Sequence, residues 1–284
     1  MAAGASSLDA VQRDDVWTVA AVAVIAFILA DVGHEAIGHG IGYLLGGGRS
    51  WIQTTTRIIG DQQLGDPGWR ILDMGGPCGN LLFAGLAWLG QRAAGRKRAE
   101  RLRLLLWLVM AFSLFWGLGY LIYCGVLGHG DWFALVAGAK REWLWRGVLI
   151  VAGIVLYRTS EMLAASELHW IVSSGEAYWR ARAGRLTLVA YVAGGVIGCA
   201  GAALDPGGPM EMLNSGAASS FLAAVGLLLV RGQFGRFADK AAIAALPASV
   251  EANVIRRSVG WMSAAGVVAT AYIGVLGRGV RIKL

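Results

Sequence analysis

DVWTVAAVAVIAFILADVGHEAIGHGIGYLL, residues Asp15–Leu45, decides the class of this chain. Val22–Leu29 is wholly apolar, and the stretch is long enough to cross the roughly 30 Å hydrocarbon core of a bilayer. Acids precede the apolar run, and it continues straight into Asp31, His34, Glu35 and His39. That is not the layout of a cleaved signal peptide, so the run reads as a retained helix. The rest of the chain agrees. Of its 284 residues, 56% are hydrophobic and only 15% charged, where soluble domains run near a quarter charged. Mean hydropathy is +0.58. A soluble domain of this size could not bury so much apolar surface, which argues for a polytopic membrane protein. The same balance argues against disorder, a secreted disulfide scaffold and a free nucleic-acid binder. The net charge of +7 reads as basic loops flanking spans, with no nucleic-acid partner.

Working outward, seven apolar stretches emerge: 15–45, 69–90, 104–127, 144–165, 186–204, 217–230 and 259–276. The expected fold is an all-α integral membrane protein, a polytopic bundle of about six to seven transmembrane helices. Residues 1–14 read as a polar tail, 15–140 as a core and 141–284 as additional helices. Trp51–Ile59 (WIQTTTRII) is rich in Thr and Ile with partial alternation, which predicts a short β-hairpin or edge strand at the membrane surface after the first span. Gly194 and Gly198 form a small-xxx-small pair suited to close helix contact. Cys78, Cys124 and Cys199 lie in apolar segments without CxxC spacing and read as free thiols. With seven spans, fifteen of the 25 Lys and Arg fall on the side of the N-terminus and nine on the other. That bias predicts a cytoplasmic N-terminus, in a membrane taken to be the bacterial inner membrane.

The ionisable cluster is the informative feature. An Asp at mid-helix costs about 2.5–3.5 kcal/mol on insertion scales. Such groups need a partner, a metal or a water-filled cavity. Two His and one Glu within six residues have a metal-site composition: imidazoles bind zinc, and a carboxylate can activate its water. The spacing is H-E-x-x-x-H, one residue longer than the H-E-x-x-H that stacks two His on one helix face. On a regular α-helix the two imidazoles would lie roughly 140° apart. A π-helical turn absorbing the extra residue would bring them together, and Gly33, Gly38 and Gly40 make such a distortion cheap. Alternatively Glu35 and His39, at i and i+4, ligate while His34 supports them. Asp31 reads either as an orienting carboxylate for an imidazole or as a boundary or cavity residue.

A second motif, MGGPCGNLLFA at 74–84, opens the second apolar helix. With the first cluster and the hairpin-like segment between them, this Gly-Pro-x-x-Asn pattern resembles the site-2 protease family of intramembrane zinc metalloproteases. The resemblance covers about residues 22–137. It implies that His34 and His39 ligate zinc, that Glu35 is the general base, and that Pro77 and Asn80 belong to the second motif, with Asn80 bonding substrate backbone or the developing oxyanion. It further implies a third ligand on a later helix, for which Asp131 in Gly128-His-Gly-Asp-Trp is the best match. His129 is a rival ligand, and a helix N-cap is a rival role for Asp131. The implied activity is cleavage of a membrane-embedded protein by a zinc metallopeptidase, and the implied partners are the lipid bilayer and a transmembrane substrate. The alternative is a catalytically inactive scaffold or assembly subunit of a membrane complex. A His-rich iron hydroxylase ranks last, since the chain has only four His. Asp73 and His169 read as interfacial, Arg158 and Glu161 as a pair within one helix, and residues 92–103 as a basic loop.

Overall fold

The computed structural model describes residues 13–94, 100–172, 179–243 and 254–284. Six helices among these residues are long and apolar enough to cross a membrane: Val16–Leu45, Glu100–Leu127, Glu142–Glu167, Trp179–Ala202, Pro209–Gly235 and Val259–Leu276. The chain is an integral membrane protein built as a helical bundle. Asp66–Ala94 is a further helix, of 29 residues. It is less apolar than the six because it carries Asp66, Arg70, Asp73, Arg92 and six glycines. Most of the polar tail, the middle of the basic 92–103 loop and much of the polar stretch before Val259 lie outside the described residues.

Polar contacts mark the two ends of the bundle. Asp15 caps the first helix, accepting from the Thr18 amide at 2.8 Å, as an N-cap carboxylate should. Its neighbour Asp14 is buried against Arg182, at 2.8 and 3.0 Å from the guanidinium, and accepts from the Ile255 amide. These bonds gather the starts of three helices. At the other end the expected hairpin is present as β1 (Ser50–Gln53) and β2 (Ile58–Gly60). A third strand, β3 (Val280–Lys283), pairs antiparallel with β1, giving the order β2-β1-β3. The sequence reading missed β3, because four residues of Val-Arg-Ile-Lys alternation are too short a signal. Asp205 tethers the hairpin: it accepts from the Thr56 hydroxyl and from Arg57, both at 2.8 Å. Burial alone would raise the Asp205 carboxyl, but the Gly207 amide, the threonine hydroxyls and Arg57 hold it below the usual range, so the tether is ionised at neutral pH.

The core runs along the first helix, where Phe27 meets Phe112 edge-on at 5.5 Å and Trp116 face-on at 5.6 Å. Gly194 and Gly198 give the expected close contact. A methyl at either would fall 2.7 Å from Phe112 or from Phe27. Arg158 and Glu161 pair within their helix, as expected.

The closest approach is between the first helix and Asp66–Ala94. A methyl on Gly38 would stand 2.4 Å from the Gly75 carbonyl oxygen, and one on Gly79 would stand 2.2 Å from that of Gly33. Backbone cannot yield as a flexible side chain can. Gly38→Ala is expected to lower the thermal unfolding midpoint in detergent, by an overpacking cost of about 1–3 kcal/mol. Gly85→Ala, on the partner helix Asp66–Ala94 with open space around it, should leave the midpoint unchanged or raise it through helix propensity. Equal effects of the two substitutions would refute the close-contact argument.

Candidate metal centre

The first helix does not stay α-helical. From Gly33 to His39 it is a π-helix, flanked by regular turns on both sides. This is the distortion that the H-E-x-x-x-H spacing calls for. With i→i+5 bonding the extra residue is absorbed, and His34 and His39 come to one face with ring centroids 4.8 Å apart. Both are buried, as is Glu35.

Asp131 completes the group. It opens a short 3-10 turn, Asp131–Leu135, in the connection after Glu100–Leu127. Gly130, with φ of +96°, is the residue at the N-cap position, so Asp131 is not a cap. Its Oδ2 lies 3.1 Å from His34 Nε2 and 3.4 Å from His39 Nε2. Three ligand atoms, one from each residue, lie within 4.8 Å of one another. These three side chains could hold a metal ion. Ligand atoms about 2.0–2.1 Å from one tetrahedral ion sit roughly 3.3 Å apart, which the two measured separations match. Asp131 Oδ2 is buried and has no hydrogen-bond partner despite both imidazoles. With both imidazoles neutral, three lone pairs converge here, which suits a shared cation. As a ligand Asp131 would be in its anionic form, and a shared cation would offset the cost of burying that charge.

The outer nitrogens of both imidazoles are held. His39 Nδ1–H donates to the Leu72 carbonyl at 2.8 Å, which fixes the tautomer and turns the Nε2 lone pair to Asp131. Asn80 Nδ2 stands 3.0 Å from His34 Nδ1, while Asn80 Oδ1 is buried without a partner. Turning the amide over exchanges these atoms. Oδ1 then accepts from Nδ1–H, and His34 Nε2 is freed in the same way. Trp116 stacks on the other face of His34, with centroids 5.2 Å apart and planes 13° apart. Gly76 supplies the room, since a methyl there would stand 2.4 Å from His39 Nε2 and 2.7 Å from His34.

The cluster opens into a cavity of about 690 Å³. Glu35 faces the same space, with Oε1 3.9 Å from His34 Nε2 and Oε2 buried and unpartnered. Asp73, expected at the interface, lines the cavity, as does His129, which packs against Tyr123 rather than joining the ligand group. Asp31 also lines it and bonds Tyr272 instead of an imidazole. Asn80 does not line it. It is fully buried behind His34 and acts there as a positioning residue. The Leu72 carbonyl was beyond sequence reasoning, since a backbone acceptor leaves no side-chain signal. His169 lies away from the cluster, in the 3-10 turn Leu168–Trp170.

No protein-family model, curated protein or solved structure matches this chain.

Two substitutions separate the supports from the ligands. Asn80→Ala should weaken metal binding about 10–100-fold, the usual effect of removing a partner that orients a ligand. Gly76→Ala should abolish metal retention, because its methyl takes the space beside both Nε2 atoms. Metal content of purified protein after dialysis against a competing chelator reads both, and wild-type retention in Gly76→Ala would rule out the Nε2-facing site.

Proposed function

We propose that this chain is an intramembrane zinc metallopeptidase that cleaves a membrane-embedded protein substrate. The observation carrying this reading is the π-turn that sets His34 and His39 beside Asp131 while leaving Glu35 free over the same cavity. Three protein ligands and an open fourth position are the pattern of a catalytic rather than a structural zinc site. Zinc held there would polarise the scissile carbonyl and lower the pKa of a water towards neutrality. The chain's own residues do the rest. Glu35 accepts the proton of the attacking water as the C–O bond forms, then gives it to the leaving amine as the C–N bond breaks. The substrate is a membrane segment unwound into extended form. Among the described residues β2 has a strand on one side only, and Ile58 lines the cavity, so its outer edge offers backbone groups to such a segment. With Asp66–Ala94 counted as a seventh crossing, the Lys and Arg bias supports a cytoplasmic N-terminus, with the cluster nearer the opposite face; the membrane is taken to be a bacterial inner membrane.

Two imidazoles and one carboxylate are also the donor set of mononuclear iron oxygenases. Glu35 favours hydrolysis: a buried carboxylate beside the ligands, with one oxygen unpartnered, suits a general base. Purified protein is expected to contain about one zinc per chain, and His39→Ala to lose it. Glu35→Gln should keep the zinc but abolish cleavage of a co-expressed membrane protein that the wild type cuts. Wild type without stoichiometric metal, or with iron in place of zinc, would overturn the proposal. Zinc with no cleavage by wild type would favour the scaffold alternative.

A further inference from the structure

Attack on a peptide carbonyl leaves negative charge on its oxygen, and a site that performs this needs a donor aimed where that charge develops. Asn80 cannot supply it, since its side chain is buried behind His34 and does not line the cavity. Several other donors on the cavity wall are committed, while Trp69, Tyr123, His129 and Asn214, which also line it, do not pack against the His34 ring as Trp116 and Tyr120 do. Arg57 pairs with Asp205 and Glu211. The Tyr157 hydroxyl donates to the Ala223 carbonyl at 2.7 Å, and Tyr272 is bonded to Asp31.

Tyr120 is different. It lines the cavity together with His34, Glu35 and Asp131. Its ring stands edge-on to His34, with centroids 6.4 Å apart. It lies one helical turn after Trp116, which stacks on the same imidazole, so both face the cluster. Tyr123 stacks on its ring at 5.2 Å and holds it in place. Its hydroxyl oxygen lies 2.8 Å from where a methyl on Gly130 would be, which puts it against the residue preceding Asp131. Among the described residues this hydroxyl has no hydrogen-bond partner. Thr55 also carries an unpartnered hydroxyl on the wall, but it belongs to the hairpin rather than to an element packed on the imidazoles.

The geometry points to Tyr120 as a catalytic residue whose phenol O–H donates a hydrogen bond to the oxyanion developing on the substrate carbonyl. The assignment rests on the hydrolytic reading above. No proton leaves the phenol; it serves as a fixed donor. A neutral donor suits the site, because five carboxylates (Asp31, Glu35, Asp73, Asp131 and Glu211) already face the cavity and an acidic group there would oppose the developing charge.

The test uses full-length protein loaded with cobalt(II), whose visible spectrum reports both metal occupancy and ligand binding, and acetohydroxamate as a small anionic probe of the open position. Tyr120→Phe should bind one cobalt per chain with the wild-type spectrum, yet bind acetohydroxamate at least about tenfold more weakly, as expected for one lost hydrogen bond to a charged group. Tyr123→Phe makes the same chemical change nearby and should bind as wild type does. Equal affinities for wild type and Tyr120→Phe would overturn the assignment while leaving the metal site standing. Loss of cobalt from Tyr120→Phe would overturn it too, by making the residue structural. Failure of wild type to take up stoichiometric cobalt would defeat the metal reading itself, and the assignment with it.

Discussion

The backbone-to-backbone contact between the π-turn and the helix Asp66–Ala94 is the constraint on which the site depends. Gly38 and Gly75 meet at a distance that no side chain would permit. Their closeness decides what lies beneath the imidazoles. Leu72, Gly76 and Asn80 are spaced four apart and share one face of the helix. From that face come the carbonyl that holds His39, the space both rings occupy and the amide that holds His34. Gly75 and Gly79 form the neighbouring row, which touches the first helix. One row sets the separation, and the other uses it. If the helices parted by the width of a methyl group, both hydrogen bonds to the imidazoles would stretch beyond range together.

The π-turn itself suits a lipid setting. A kink in a membrane helix frees backbone groups that must find other partners, because hydrocarbon offers none. A π-turn reorients side chains while keeping its backbone bonds within the helix, as i→i+5 pairs. Two further π-helical segments, Met212–Leu222 and Tyr272–Leu276, occur among the described residues. Both contribute to the same cavity, through Asn214, Gly216 and Leu222 in one and Tyr272 in the other. The cavity wall is thus built where three helices are locally widened, at little cost in unsatisfied backbone.

The sequence was most legible where a pattern is local. Long apolar stretches announced the helices, Thr-Ile alternation announced the hairpin, and the one-residue excess in H-E-x-x-x-H announced the π-turn. Asp131 was chosen over His129 on motif resemblance, and the geometry brings Asp131, not His129, to the two imidazoles. Legibility failed where position depends on tertiary packing. Nothing near Asp73 shows that its helix turns it into a cavity. Nothing near Asp31 reveals Tyr272, 241 residues later. Asn80 was recognised as part of a motif, yet the amide's direction follows from how closely two helices pack, and that closeness is carried by glycines whose local reading is only flexibility.

Residues beyond 140, which carry no motif, prove to be part of the same construction. β3 lengthens the hairpin into a three-stranded sheet, and Asp205 ties its loop to the start of the helix whose π-segment lines the cavity. Arg57 lies 2.8 Å from Asp205 and 3.5 Å from Glu211, joining the hairpin to both. The side chain of Asp205 is fully buried while that of Arg57 is about one-third exposed. An ion pair with one buried partner cannot be opened by removing the cation without leaving an uncompensated charge behind. Loss of Arg57 would therefore weaken the tether more than loss of one partner weakens a surface pair. The hairpin's place over the cavity is set by the second half of the chain as firmly as the ligands are set by the first.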